Sequence, residues 1–203
     1  MTTPVLSDPN VQIVLAIAAG IAVSAACGLR AFLPLLGVGL AGKFGFLALA
    51  PAAHWLGNDV TLIALAVATV VEIAADKIPI VDHALDVIST GLRPAAAAIA
   101  TFALLQPLPD PWDKIAALVF AGGALAVHAA KSKTRLGSTA LTLGLGNPVL
   151  SFLEDGLAFA ISAAAILIPL IALAGVLVLF WIASRLLRRR DRRARSSAPA
   201  PTR

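Results

Sequence analysis

The sequence predicts an all-α integral membrane fold of about six transmembrane helices, with a broken or re-entrant segment near residues 28–46. Three observations predict it. Hydrophobic residues make up 59% of the 203-residue chain and mean hydropathy is +0.91, more apolar surface than a globule can dress with polar groups. The apolar residues fall into runs of spanning length, separated by prolines, glycines and charges. The basic residues are polarised: residues 185–203 hold eight of the sixteen, beside one acid, Asp191. Without that tail the chain has eight basic and ten acidic residues, a balance of −2 against +5 for the whole. A general basic character, and with it nucleic-acid binding, is therefore not implied. A local positive run instead marks the cytoplasmic side of a membrane.

Residues 1–10 are polar, with Pro4 and Pro9, and read as an N-terminal tail; residues 11–188 read as one polytopic membrane domain, and 189–203 as a basic, disordered cytoplasmic tail. The first span covers 11–27. Gly20, Ser24 and Gly28 recur every four residues along it and make one flat face for close helix approach. The stretch 28–46 is interrupted by Pro34, Gly37, Gly39 and Gly42, which is tolerated at membrane depth only where protein or a cavity shelters the backbone. Residues 47–59 read as a loop. The second span is 60–77, with Glu72 and Asp76 in its last turns. A helical stretch follows Pro79, and Pro94 then opens a third span, 92–106. A rigid turn, PLPDP, leads to the fourth span, 112–131, followed by a loop over 131–147. Pro148 starts the fifth span, 148–168, and Pro169 separates it from the sixth, 169–187.

Six spans place both termini on the cytoplasmic side of the membrane. Lys77, Arg93, Lys131, Lys133 and Arg135 then fall inside, and Asp110 and Asp113 outside. Arg185, Arg188, Arg189 and Arg190 would meet anionic lipid of the bilayer, at about 1 kcal/mol per well-placed charge. The single cysteine, Cys27, excludes an internal disulfide. Neither a lipoprotein nor a cleaved signal peptide is expected, because no basic residue precedes the first apolar run.

The chemistry concentrates in two clusters. Residues 72–94 carry Glu72, Asp76, Asp82, His83, Asp86 and Arg93 among alanine, leucine, isoleucine and valine. Acids are costly in such surroundings. Asp82 and Asp86 share a helix face, and Glu72 and Asp76 repeat the spacing. Brought together, they would suit a proton relay or a hard divalent cation, with Asp82 and Asp86 as its ligands; the alternative is a solvated cytoplasmic loop. No other cofactor is implied. The second cluster is Asn147, Ser151, Glu154 and Asp155, where the bland reading is acids near a helix N-terminus. Arg30 and Arg93 are candidate counter-charges, although Arg30 could equally snorkel to the interface. His128, Lys131 and Arg135 form one helical stripe that could hold a phosphate or lipid headgroup, or simply anchor a helix end.

Two internal echoes accompany these clusters. The run Lys77 to Asp86 parallels Asn147 to Asp155, each with a proline opening a helix, and Arg30 parallels Arg135. The segments GLRAFLPLLGVGLAG (28–42), EIAADKIPIVDHALD (72–86), TGLRP (90–94) and GNPVLSFLED (146–155) together resemble the uncharacterised bacterial membrane family labelled domain of unknown function 4126, over roughly residues 11–170. The resemblance implies a small multi-spanning inner-membrane protein and brings no activity with it. The leading expectation from the residues is a small ion or solute transporter or channel, its path lined by the carboxylates. The rivals are a non-catalytic scaffold or accessory subunit and a metal-dependent enzyme acting on lipid headgroups. The chain is small for a whole transporter, which leaves room for a homodimer.

Overall fold

In the computed structural model, helix α1 (Pro9–Leu29) packs against the three longest of the other helices. The structure describes residues 8–76, 79–142, 146–169, 171, 174–182 and 184–185, with the backbone alone for 79–87. Asp8 caps α1 by accepting from the Asn10 N–H at 2.8 Å, and Pro9 occupies the first turn, where its missing donor costs nothing. The small-residue face works as its spacing predicts. A Cβ on Gly28 would lie 2.5 Å from Val127 Cβ and 2.6 Å from the Ala124 carbonyl oxygen. Ser24 donates to the Phe120 carbonyl. α1 can therefore lie backbone-close to α5.

The chain breaks after Leu29. Arg30 is extended (φ −140°, ψ 125°), and α2 (Phe32–Lys43) sets off as a separate helix. The expected broken segment is thus real, and the break sits at Arg30–Ala31, ahead of the proline and glycines. A turn with Gly45 at φ +76°, a conformation that suits glycine, ends α2. The expected loop 47–59 contains a 3-10 helix, Pro51–Gly57, which meets α3 (Asp59–Ala75) at a bend of 65°. α3 buries Leu62, Leu65, Thr69, Glu72 and Ala75 on one stripe and exposes Val60, Ile63, Val67 and Val70 on the other. Glu72 is therefore on the inward face, and Asp76, next along that stripe, is buried with it.

Two expectations are corrected. Helix α4 (Pro79–Leu104) runs straight through Pro94, which was expected to open a new span. Proline removes one donor. Beyond it Ala96, Ala97, Ala100 and Ala103 are buried against the core and hold the helix on course. Helix α5 (Trp112–Thr142) is 31 residues long and continues through most of the expected loop after Lys131. Its extension carries Arg135 on the buried stripe with His128 and Lys131. Helix α6 (Asn147–Leu167) matches its expected span, and residues 174–182 are helical beyond Pro169.

Among the described residues three helices, α1, α5 and α6, are long and apolar enough to cross a membrane, or four if the bent pair counts as one span. Six spans are not confirmed among the described residues. α2 has 12 residues, about 18 Å of helix, against a hydrocarbon thickness of about 30 Å. The proposed C-terminal tail, 189–203, and most of the sixth span's end lie outside the described residues.

Candidate functional site

Ending α1 and starting α2 within the bundle leaves carbonyls at one end and N–H groups at the other without intrahelical partners. Charged side chains from three other helices meet them. Arg93 Nη1, from α4, donates to the carbonyls of Gly28 at 2.6 Å and Leu29 at 2.8 Å. Lys131 Nζ, from α5, donates to the Leu29 carbonyl at 3.2 Å. Glu72, from α3, accepts the Ala31 N–H at 2.9 Å on Oε1 and the Phe32 N–H at 3.2 Å on Oε2. Cations thus sit at the negative end of α1 and a carboxylate at the positive end of α2, as the helix dipoles favour.

From the break an ion network extends through the bundle. Asp76 Oδ2 accepts from Arg135 Nη2 at 2.9 Å, from Lys131 Nζ at 3.3 Å, and from Arg30 Nη1. Arg135 forks onto both oxygens of Glu154, Nε to Oε1 at 3.3 Å and Nη2 to Oε2 at 2.7 Å. Lys131 lies 3.0 Å from Glu154. The other face of Arg30 meets Asp155 at 2.5 Å and donates to Ser151 Oγ at 3.0 Å. Arg93 stands 3.9 Å from Glu72.

Among the described residues the network contains four carboxylates (Glu72, Asp76, Glu154, Asp155) and four cations (Arg30, Arg93, Lys131, Arg135), whose formal charges sum to zero. The most exposed of these side chains, Asp155, is only 17% accessible, and Arg30 is fully buried. Desolvating an ion costs several kcal/mol even after relaxation, so charges this deep persist only when paired and hydrogen-bonded.

Of the sequence candidates, Glu72, Asp76, Ser151, Glu154, Asp155, Arg30 and Arg93 are brought together here. Arg30 is paired and does not snorkel. Lys131 and Arg135 face inward onto carboxylates, and His128, also buried, lies beside Thr90 Oγ1 at 3.4 Å. Asn147 stands apart and ties α6 to α5 by donating to Thr139 Oγ1 at 2.9 Å. The side chains of Asp82, His83 and Asp86 lie outside the described residues, and so does the metal expectation attached to the two aspartates. Among the described residues no group of three His, Cys, Asp or Glu side chains is placed to hold a metal. Glu72 and Asp76 turn towards cations. Arg185 stacks on Trp181 with its guanidinium carbon 4.4 Å from the ring centroid; Arg188, Arg189 and Arg190 lie outside the described residues.

Lys131 and Arg135 were missed as partners of Asp76 and Glu154. Their spacing with His128 was visible, but a stripe does not say which helix it faces. Glu72's capping of α2 left no signal in the sequence.

The protein-family model described as Domain of unknown function (DUF4126) matches residues 17–189. The chain belongs to this family. All eight charged residues of the network fall within the DUF4126 match. The segments 28–42, 72–86, 90–94 and 146–155, scattered in sequence, supply every network residue except Lys131 and Arg135. No curated protein and no solved structure matches the DUF4126 chain.

A second feature lies towards the other end of α1. A cavity of about 540 Å³ opens there, lined by residues that include Gln12, Ala16, Ala19, Leu104 and Gln106. Along α1, from Ala19 to Arg30 is a rise of about 16 Å. Ala22, Val23, Ala26 and Cys27 fill that interval and are fully buried.

Proposed function

We propose that the protein moves a small ion or solute across the membrane, with the cavity and the charged helix break as the two halves of its path. The observation that carries this reading is the break itself, an interrupted helix in an apolar bundle whose free backbone groups are met by ionisable side chains. Discontinuous helices of this kind hold substrates and coupling ions in membrane transporters. Capping the break accounts for Glu72, Arg93 and Lys131. Asp76, Glu154, Asp155, Arg30 and Arg135 exceed that need, and a bundle of this size would be as stable with apolar residues in their place. The buried stretch Ala22 to Cys27 would be the closed gate between the two halves.

A second reading is favoured by the charge balance. A network whose described charges balance can act as a lock that fixes helix register, which suits a scaffold or accessory subunit. Under both readings the membrane is a bacterial inner membrane with both termini cytoplasmic, and Arg185 with the following arginines faces anionic lipid. A homodimer would bury part of the exposed apolar faces of α5 and α6.

Charge movement on a solid-supported membrane separates the readings. Proteoliposomes carrying wild type or Asp155→Asn are exposed to cation, anion and pH steps. A wild-type current that Asp155→Asn abolishes supports transport. Folded, inserted protein that gives neither a current nor a change of internal pH under any gradient overturns it and leaves the lock.

A further inference from the structure

Asp76 sits in a site built for an anion. Cations from two directions converge on its Oδ2: Arg30 from the helix break, and Lys131 and Arg135 from α5. Asp76 also follows the last residue of α3, at the helix's negative end, where a carboxylate is disfavoured. Its position therefore serves the cations and not its own helix. A second observation points to unused binding capacity. Arg30 Nε is buried and has no hydrogen-bond partner among the described residues, although its guanidinium is wholly inaccessible to solvent. A donor left like this normally has a ligand or water.

We infer that Asp76 is a tethered stand-in for a small monovalent anion of carboxylate size, and that such an anion binds Arg30, Lys131 and Arg135 when one proton is taken up on Asp76. The charges balance in both states. Around these three cations the negative charges among the described residues are Asp76, Glu154 and Asp155, while Glu72 offsets Arg93. Ser151 adds a neutral hydroxyl from α6. A proton from solvent bonds to the Asp76 carboxylate and removes one negative charge, and the incoming monovalent anion restores it. A divalent anion would leave the buried cluster charged, which selects against it. The inference deepens the transport reading by naming its substrate class, as an anion moving with a proton, and binding can be measured apart from movement.

The test is titration calorimetry on purified full-length protein, with formate and chloride as probes, between pH 5 and pH 8 in two buffers of different ionisation heat. Wild type is expected to take up one proton per anion, with affinity falling about tenfold per pH unit where Asp76 is ionised in the free protein. Asp76→Asn, neutral at every pH, is expected to bind with no proton uptake and no pH dependence, and Arg135→Gln to lose binding. Wild type that binds neither anion at any pH, or that binds without taking up a proton, overturns the inference whether or not the variants fold. One proton moving with one monovalent anion carries no net charge, so movement is read as acidification inside proteoliposomes under a formate gradient; binding with proton uptake but no acidification would keep the site and overturn transport. Current without anion binding would do the reverse.

Discussion

Replacing Glu72 by alanine removes both caps of α2 at once. The Ala31 N–H is buried, and leaving it without a partner costs about 1–3 kcal/mol. The Phe32 N–H is only partly buried, and its loss adds about 1 kcal/mol. Arg93 keeps the Gly28 and Leu29 carbonyls but loses its counter-charge, which adds to the cost. The expected total is about 3–5 kcal/mol. Glu72→Gln keeps the volume and one acceptor oxygen, and should cost roughly half of that. Both are read from the denaturant midpoint of unfolding in lipid-like micelles, followed by tryptophan fluorescence, with the slope unchanged. Val70→Ala, on the exposed face of α3, is the control and should stay within about 0.5 kcal/mol. If Glu72→Ala were no more destabilised than Val70→Ala, the carboxylate would not be holding the break, and the account of why acids are kept in this bundle would fall with it.

Gly28→Val would push a side chain into Val127 and the Ala124 carbonyl, and since backbone cannot yield cheaply, α1 and α5 should part at a cost of about 1–3 kcal/mol or more. Gly122→Ala meets nothing within 4 Å and should instead stabilise α5 by roughly 0.5–1 kcal/mol through helix propensity, both effects being read as midpoint shifts. In a double-mutant cycle, Arg135→Met with Glu154→Gln should show a coupling of about 1–3 kcal/mol, because the pair is forked and buried. The same cycle on Lys114 and Asp110, an exposed pair one helical turn apart, should show none that is measurable.

Membrane character and helical class were legible in the sequence because both follow from composition and local runs. Hydropathy adds along the chain whatever the fold, and a proline or glycine acts on its own few neighbours. The small-residue face of α1 was legible for the same reason, and Gly28 lies against α5 as its spacing implies. The helix break was also legible, although it falls at Arg30–Ala31, a few residues ahead of the proline and glycines that signal it.

Only the tertiary structure decided which charges meet. Arg30 finds Asp76 across 46 positions and Ser151 across 121, and no periodicity encodes a partner so distant. The same contacts overrode local preference. Residues 132–142, rich in serine, threonine and glycine, read as a loop, yet they are helical, with Arg135 on the inward stripe held by Asp76 and Glu154. Pro94 reads as a boundary, yet it lies inside a helix that buried alanines and the Arg93 contacts hold in line. Local chemistry set what the chain is made of and where it can bend. Burial then set the pairing, because in an apolar bundle an ion without its counter-charge costs more than any helix or loop preference can return.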